Sequence, residues 1–173
     1  ESAVVTGPDG ETIYTDEFGR VKVRFHWDRA GTPGEKSTCW IRVSQTGGLG
    51  NITLPRVGHE VLVNFLNGDP DRPVVTGRVF NASHTPVYDL PANKTMAVWR
   101  TLTYGKQADY PETEALDTGK PQANELRFED KGGKEEVFMH AERDMNIRVR
   151  FDYSRHIGHD VDIKVGHDRM RYV

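Results

Sequence analysis

Apolar and polar residues alternate with a period of two along much of this chain. In 19–27, Val21, Val23, Phe25 and Trp27 fall on one parity and Lys22, Arg24 and His26 on the other, the mark of a strand with one dry face. Shorter runs of strand-forming residues follow at Cys39-Trp40-Ile41-Arg42-Val43-Ser44, 50–55, 59–66 and 73–80. Gly, Pro and Asp punctuate them. Five short strands at this spacing predict an all-β fold that begins with a five-stranded Greek-key barrel of the OB type, over residues 1–81.

The pattern then changes. Residues 82–124 are interrupted by Pro86, Pro91, Pro111 and Pro121 and are rich in Thr, Asp and Glu, which predicts an extended linker with one short strand near Thr95-Met96-Ala97-Val98-Trp99. Alternation resumes in Glu125-Leu126-Arg127-Phe128-Glu129-Asp130, turns at Lys131-Gly132-Gly133-Lys134 and returns through Glu135 to His140. This is a β-hairpin signal, and a connector over 125–154 is expected around it, with a strand-like Met145–Phe151.

The last segment, 155–173, carries an octad repeat: Ile157-Gly158-His159-Asp160 recurs as Val165-Gly166-His167-Asp168. Between the copies Val161, Ile163 and Val165 share one parity while Asp162 and Lys164 take the other. A strand and a Gly-containing turn repeated at a fixed interval build fibrous β-structure. One narrow strip cannot bury its own apolar side, and the simplest source of partner strands is identical chains around a symmetry axis. Ile157, Val161, Ile163 and Val165 are therefore the expected core of a rod or prism shared between identical chains.

Composition narrows the function. A formal net charge of −3 with basic residues dispersed along the chain gives no general attraction to polyanions, so nucleic acid is not an expected partner. No run reaches the roughly 18 apolar residues of a membrane-spanning helix, and Glu1-Ser2-Ala3-Val4 opens no signal peptide; the chain reads as a segment of something longer. The single cysteine, Cys39, excludes an intrachain disulfide and is expected to be a buried core thiol.

Each chemical motif has a plainer explanation. Gly68-Asp69-Pro70-Asp71-Arg72-Pro73 places two carboxylates two apart, but Pro and Asp are what a tight turn before a strand requires. Gly47-Gly48-Leu49-Gly50 lacks the Lys-Ser/Thr and helix of a phosphate cradle. His156, His159 and His167 with Asp160 and Asp168 are the best metal candidates, since an octad stacks equivalent positions and symmetric copies would multiply each; Asp and His beside a repeat Gly more often decorate exposed turns. Glu129 with Glu135 or Glu136 suggests a glycosidase pair, yet charged hairpin ends account for them. No catalytic residue, cofactor site or metal site is assigned.

Phe18-Gly19-Arg20-Val21-Lys22-Val23-Arg24-Phe25-His26-Trp27-Asp28, Cys39 to Ser44, Leu54-Pro55-Arg56-Val57-Gly58-His59-Glu60-Val61-Leu62-Val63 and Gly68 to Pro73 resemble the VgrG spike family of bacterial type VI secretion. Asn124 to Asp130 and Met139 to Met145 resemble that family's connector into its β-helix. The segment Gln45 to Asn51 is shorter than in many members, and Tyr104 to Gln122 departs from their Gly-rich linker. The resemblance implies a homotrimer with an OB-fold neck and a β-helix needle, similar to the central spike of contractile phage tails. It implies a base before Glu1 that meets the tail-tube protein, further octads after Val173, and a tip-capping protein and effectors at or beyond the needle. It also implies export by the type VI machine after assembly in the cytoplasm, and transient contact with a target membrane.

Phage spikes of similar design carry a lysozyme domain between barrel and needle, but here only 82–124 occupies that place, too short for such a domain. The expectation is a non-enzymatic, mechanical part. The alternative is an OB-fold module for single-stranded nucleic acid or oligosaccharide, with Phe25, Trp27, Trp40 and Phe65 as stacking surfaces; their parity instead assigns most of them to the core.

Overall fold

The computed structural model describes residues 1–29, 31, 34–47, 50–105 and 122–166. Among these lie eight β-strands and a single 3-10 turn, and no α-helix, so the all-β expectation holds. The fold divides between Thr95 and Met96 into two units.

The first unit is a curled five-stranded sheet in the order β2-β1-β4-β5-β3: β1 Ser2–Thr6, β2 Lys22–Phe25, β3 Arg42–Val43, β4 Glu60–Phe65 and β5 Pro73–Val79. All pairings are antiparallel except the short parallel β3–β5 contact. An antiparallel bridge between Val21 and Ile41 links the start of β2 to the β3 end and closes the barrel, which removes the open edge that a five-stranded sheet would otherwise present. Inside lie Ala3, Val5, Val21, Val23, Phe25, Ile41, Val61, Val63 and Val75, all buried. Their alternation with exposed or half-exposed neighbours is the period-2 pattern of the sequence made physical. Small β-branched side chains suit the narrow interior of such a barrel. Contact is close enough that a Cβ added at Gly7 would lie 2.8 Å from Tyr14 Cβ and 3.0 Å from Val57 Cγ2.

Four sequence expectations need correction. The first strand is Ser2–Thr6, which pairs with both β2 and β4, whereas 50–55 forms no strand and Ile52 faces solvent. The run from Cys39 to Ser44 contributes only Arg42–Val43 as strand. Cys39 is exposed, not buried, because pairing begins only two residues later, at Ile41. Trp27 lies beyond the end of β2 and is 64% exposed, although its ring still stacks on Phe25 at 5.1 Å.

The Gly68-to-Pro73 motif is a turn. Asp69 accepts the Asp71 backbone N–H on its carboxylate at 3.0 Å and the Arg72 N–H on its carbonyl at 3.0 Å, which sets β5 antiparallel to β4.

In the second unit β6 Met96–Leu102, β7 Ala123–Glu129 and β8 Glu136–His140 form a sheet in that order. The predicted hairpin is β7–β8, closed by a Lys134 N–H to Lys131 carbonyl bond of 2.8 Å with Gly133 at φ 76°, a value glycine adopts without strain. The short strand foreseen near Trp99 is longer than expected, and all seven of its residues pair with β7.

Candidate functional site

Parity along β7 separates two chemically distinct faces. Ala123, Glu125, Arg127 and Glu129 lie on one, opposite Leu102, Arg100, Val98 and Met96 of β6 and, from Glu125 onward, His140, Phe138 and Glu136 of β8. Glu125 is buried, its carboxylate 3.4 Å from Arg100 Nε and 3.2 Å from Arg127 Nη1. Arg127 also meets Glu136 at 2.9 Å and stacks over the Phe138 ring at 4.4 Å. Buried charge is tolerated here because Glu125 and Arg100 face each other as an ion pair and Glu125 and Arg127 are also hydrogen-bonded. The other face carries Trp99, Leu126, Phe128, Val137 and Met139.

Beyond β8 the chain is tied back to the sheet by Glu142. Its carboxylate accepts the Ala123 N–H at 3.1 Å and lies 3.3 Å from His140 Nε2, and its own N–H donates to the Asn124 side chain at 2.9 Å. This fixes where the sheet ends and the extended segment starts.

From 141 to 166 no residue is in a strand, yet apolar side chains hold one parity from Met145 through Ile147, Val149, Phe151 and Tyr153 to Ile157, Val161, Ile163 and Val165. Every one is exposed, with the four octad residues between 42% and 51%. The strand-like reading of Met145–Phe151 thus meets an extended chain whose backbone has no ladder of its own. Apolar alternation without a partner is the physical signature of a surface that pairs with another chain.

The remaining candidates do not converge. His159 Nδ1 pairs with its neighbour Asp160 at 2.8 Å, both almost fully exposed, and no group of three or more His, Cys, Asp or Glu gathers among the described residues. His167 and Asp168 lie outside the described residues, as do Gly48, Leu49 and most of the segment from Tyr104 to Gln122. Glu129 accepts the Lys131 N–H. Glu135 is held below the ordinary carboxylate range by its own backbone N–H and those of Gly133 and Lys134. Both therefore serve the hairpin turn. A depression of about 130 Å³ beside β3 and β5 has one ionisable side chain, Arg78, in its lining, so it offers no acid–base pair. Of the aromatics proposed for stacking, Phe25 is buried and packs on Phe65 at 6.1 Å, while Trp40 packs on Tyr14 at 4.9 Å.

Sequence reasoning missed the His59–His84 pair, whose rings meet edge-on at 5.2 Å. Burial, with Arg78, His84 and Arg56 nearby, lowers the His59 pKa from 6.5 to about 4, so this imidazole is neutral at ordinary pH.

Comparison with known proteins decides the family. Residues 3–80 match the type VI secretion system/phage-baseplate injector OB domain, and residues 112–173 match the bacteriophage T4 gp5 C-terminal trimerisation domain. The chain is 48% identical over 165 residues, 92% of its length, to the type VI secretion system spike protein VgrG1c of Pseudomonas aeruginosa. It is 46% identical over 98% of its length to VgrG4b of the same organism and 45% identical over 94% to VgrG3 of Vibrio cholerae. The chain belongs to the VgrG spike family. It spans 21%, 19% and 15% of those three relatives, so what it shares with VgrG proteins is the barrel and the segment after it. The barrel of the first unit and the OB match agree on the same residues, and the unpartnered strip falls wholly within the trimerisation match.

Proposed function

We propose that this chain is the neck and the opening of the needle in a homotrimeric, membrane-puncturing spike, with residues 1–81 as the neck barrel, 82–124 as linker, 125–154 as connector and 155–173 as the first needle octads. One observation carries the reading: the apolar strip ending in Ile157, Val161, Ile163 and Val165 is extended, exposed and without a strand partner among the described residues. Three such strips wound about an axis would supply one another's backbone bonds and share a dry core, which offsets the thin core of a single chain. The function that follows is rigidity. A contracting sheath would drive the closed prism through a target envelope, in transient contact with its membrane, and carry attached effectors with it.

The chain's role in this reading is non-enzymatic. Its other partners would be the tail-tube protein below the neck and a tip-capping protein and effectors at or beyond the needle, and the type VI machine would export it. The OB-module alternative is disfavoured by the packing of Phe25 and Phe65 in the barrel core and of Trp40 against Tyr14.

Light scattering across a dilution series tests the assembly. A mass of three chains that persists on dilution, and is lost in Val161→Asp where three carboxylates would meet near one axis, is the expected result. A monomer at every concentration, or a Val161→Asp chain that remains trimeric, would overturn it.

A further inference from the structure

The sheet of the second unit presents an apolar face whose occupant can be argued from the register. We infer that this face is a contact between copies of the chain, with Trp99, Leu126, Phe128, Val137 and Met139 meeting the equivalent surfaces of the other two copies around the shared axis. The interface would then begin upstream of the segment matched by the trimerisation family.

The opposite face is covered around Ala123 and Glu125, 3% and 8% exposed, with Val98 and Leu102 at 36% and 44%. The apolar face is the more open one, with Trp99 60%, Val137 65% and Met139 61% exposed. A three-stranded sheet needs its hydrophobic face covered to be stable. No Asp, Glu, Lys or Arg falls on this parity within the three paired strands, so two copies can approach without opposing like charges. Strands β7 and β8 lie inside the matched stretch 112–173, whereas β6 lies before it. Yet Trp99 stands directly opposite Leu126 and Ala97 opposite Phe128 in the ladder. A partner that covers Leu126 and Phe128 must also cover Trp99, because cross-strand neighbours on one face are only about 5 Å apart. The inference rests on the trimer reading and extends it to a strand that reading does not include.

The test is hydroxyl-radical footprinting of the 173-residue chain, read at Trp99 and Met139 by mass spectrometry and referenced to the same residues in denaturant. If the other copies cover the face, both are modified about tenfold more slowly in the trimer, as for aromatics at the centre of an interface. A trimer in which Trp99 is protected less than about twofold, the protection its exposure in the lone chain would give, overturns this inference alone. A chain of monomer mass overturns the trimer reading and this inference with it. As a second measurement, Trp99→Glu should raise the half-dissociation concentration about 100-fold or more. Val98→Glu, on the ion-paired face, should change it far less; equal effects of the two would count against the assignment of faces.

Discussion

Glu125 of β7 and Arg100 of β6 are directly opposed in the ladder and form a buried ion pair, 3.4 Å apart, in the middle of the three-stranded sheet. With Arg127 also at 3.2 Å, one carboxylate balances two guanidinium groups, and Arg127 passes the balance on to Glu136. Removing the carboxylate would take from Arg100 the partner it faces in a largely buried place and leave Arg127 relying on Glu136.

Glu125→Ala is therefore expected to destabilise the second unit by about 2–4 kcal/mol, somewhat below the cost of orphaning a fully buried charge because the arginines keep some access to water. The triple change Arg100→Met, Glu125→Leu, Arg127→Met should recover most of that loss. Denaturant titrations at one fixed protomer concentration measure both, since the stability of an assembling chain depends on concentration. A triple variant as unstable as Glu125→Ala would refute the orphaned-charge account.

The barrel should respond to acid through His59. Its folded pKa of about 4 lies below the unfolded value of 6.5, so between those values the unfolded chain binds more protons and stability falls as pH falls. The effect is fully absent as a penalty above pH 6.5 and saturates below about 4. Glu60 and Asp16 are also lowered from their carboxylate values: Glu60 by the Asn81 amide first of all, and Asp16 by hydrogen bonds from Arg20 and Phe18 that outweigh its desolvation. Their losses come at lower pH, which leaves 6.5 to about 4.5 as the window diagnostic of His59. Thermal melts should show the midpoint dropping across that window in the wild type and changing less in His59→Gln. Equal slopes would assign the acid sensitivity elsewhere.

How much of this was legible in the sequence depends on whether a feature is local. Val21, Val23 and Phe25 were placed on the buried face by parity alone, and the hairpin turn at Gly132-Gly133 was explicit in its residues. The 50–55 stretch was misread because its branched and polar residues imitate a strand. In the fold, Asn51 and Thr53 instead bond Thr46 and Gln45 across a loop, and Ile52 is 78% exposed. The Glu125–Arg100 pair joins residues far apart in sequence, and His59 meets His84 only after the barrel closes. No local pattern encodes either, since each follows from register and packing. The octad strip was legible as a pattern, and its upstream continuation to Met145 emerges when the exposed residues are read together.

Glu142 should act as a clasp between the sheet and the extended segment. Glu142→Ala removes the acceptor of the Ala123 N–H and the neighbour of His140, a charged hydrogen bond of about 1.5–3 kcal/mol. Hydrogen exchange at the Ala123 amide should then accelerate by about tenfold or more, since 1.4 kcal/mol is a factor of ten. The amides of β2 in the barrel provide the internal reference. Unchanged exchange at Ala123 would mean that the ladder alone holds this end of β7.

The alternation in the last segment can be tested one residue at a time, because neighbours on a strand point to opposite sides. Ile163 shares parity with Val161 and Val165, while Lys164 shares parity with Asp162. If the odd positions form a dry core in the trimer, Ile163→Asn places an unpaired amide in it and should cost about 1–3 kcal/mol for each chain, felt three times in one assembly. Lys164→Asn changes a solvated side chain and should fall within about 0.5 kcal/mol. Concentration-matched melts and light scattering on the two variants compare positions that differ by one residue in sequence and by one face in space. A drop in trimer stability for Ile163→Asn with none for Lys164→Asn is the expected result. The reverse order would turn the strip inside out and move the axis to the Asp162 and Lys164 side, where their opposite charges would have to pair; equal effects would mean that the segment has no inner face and that the exposed apolar parity serves some purpose other than a shared core.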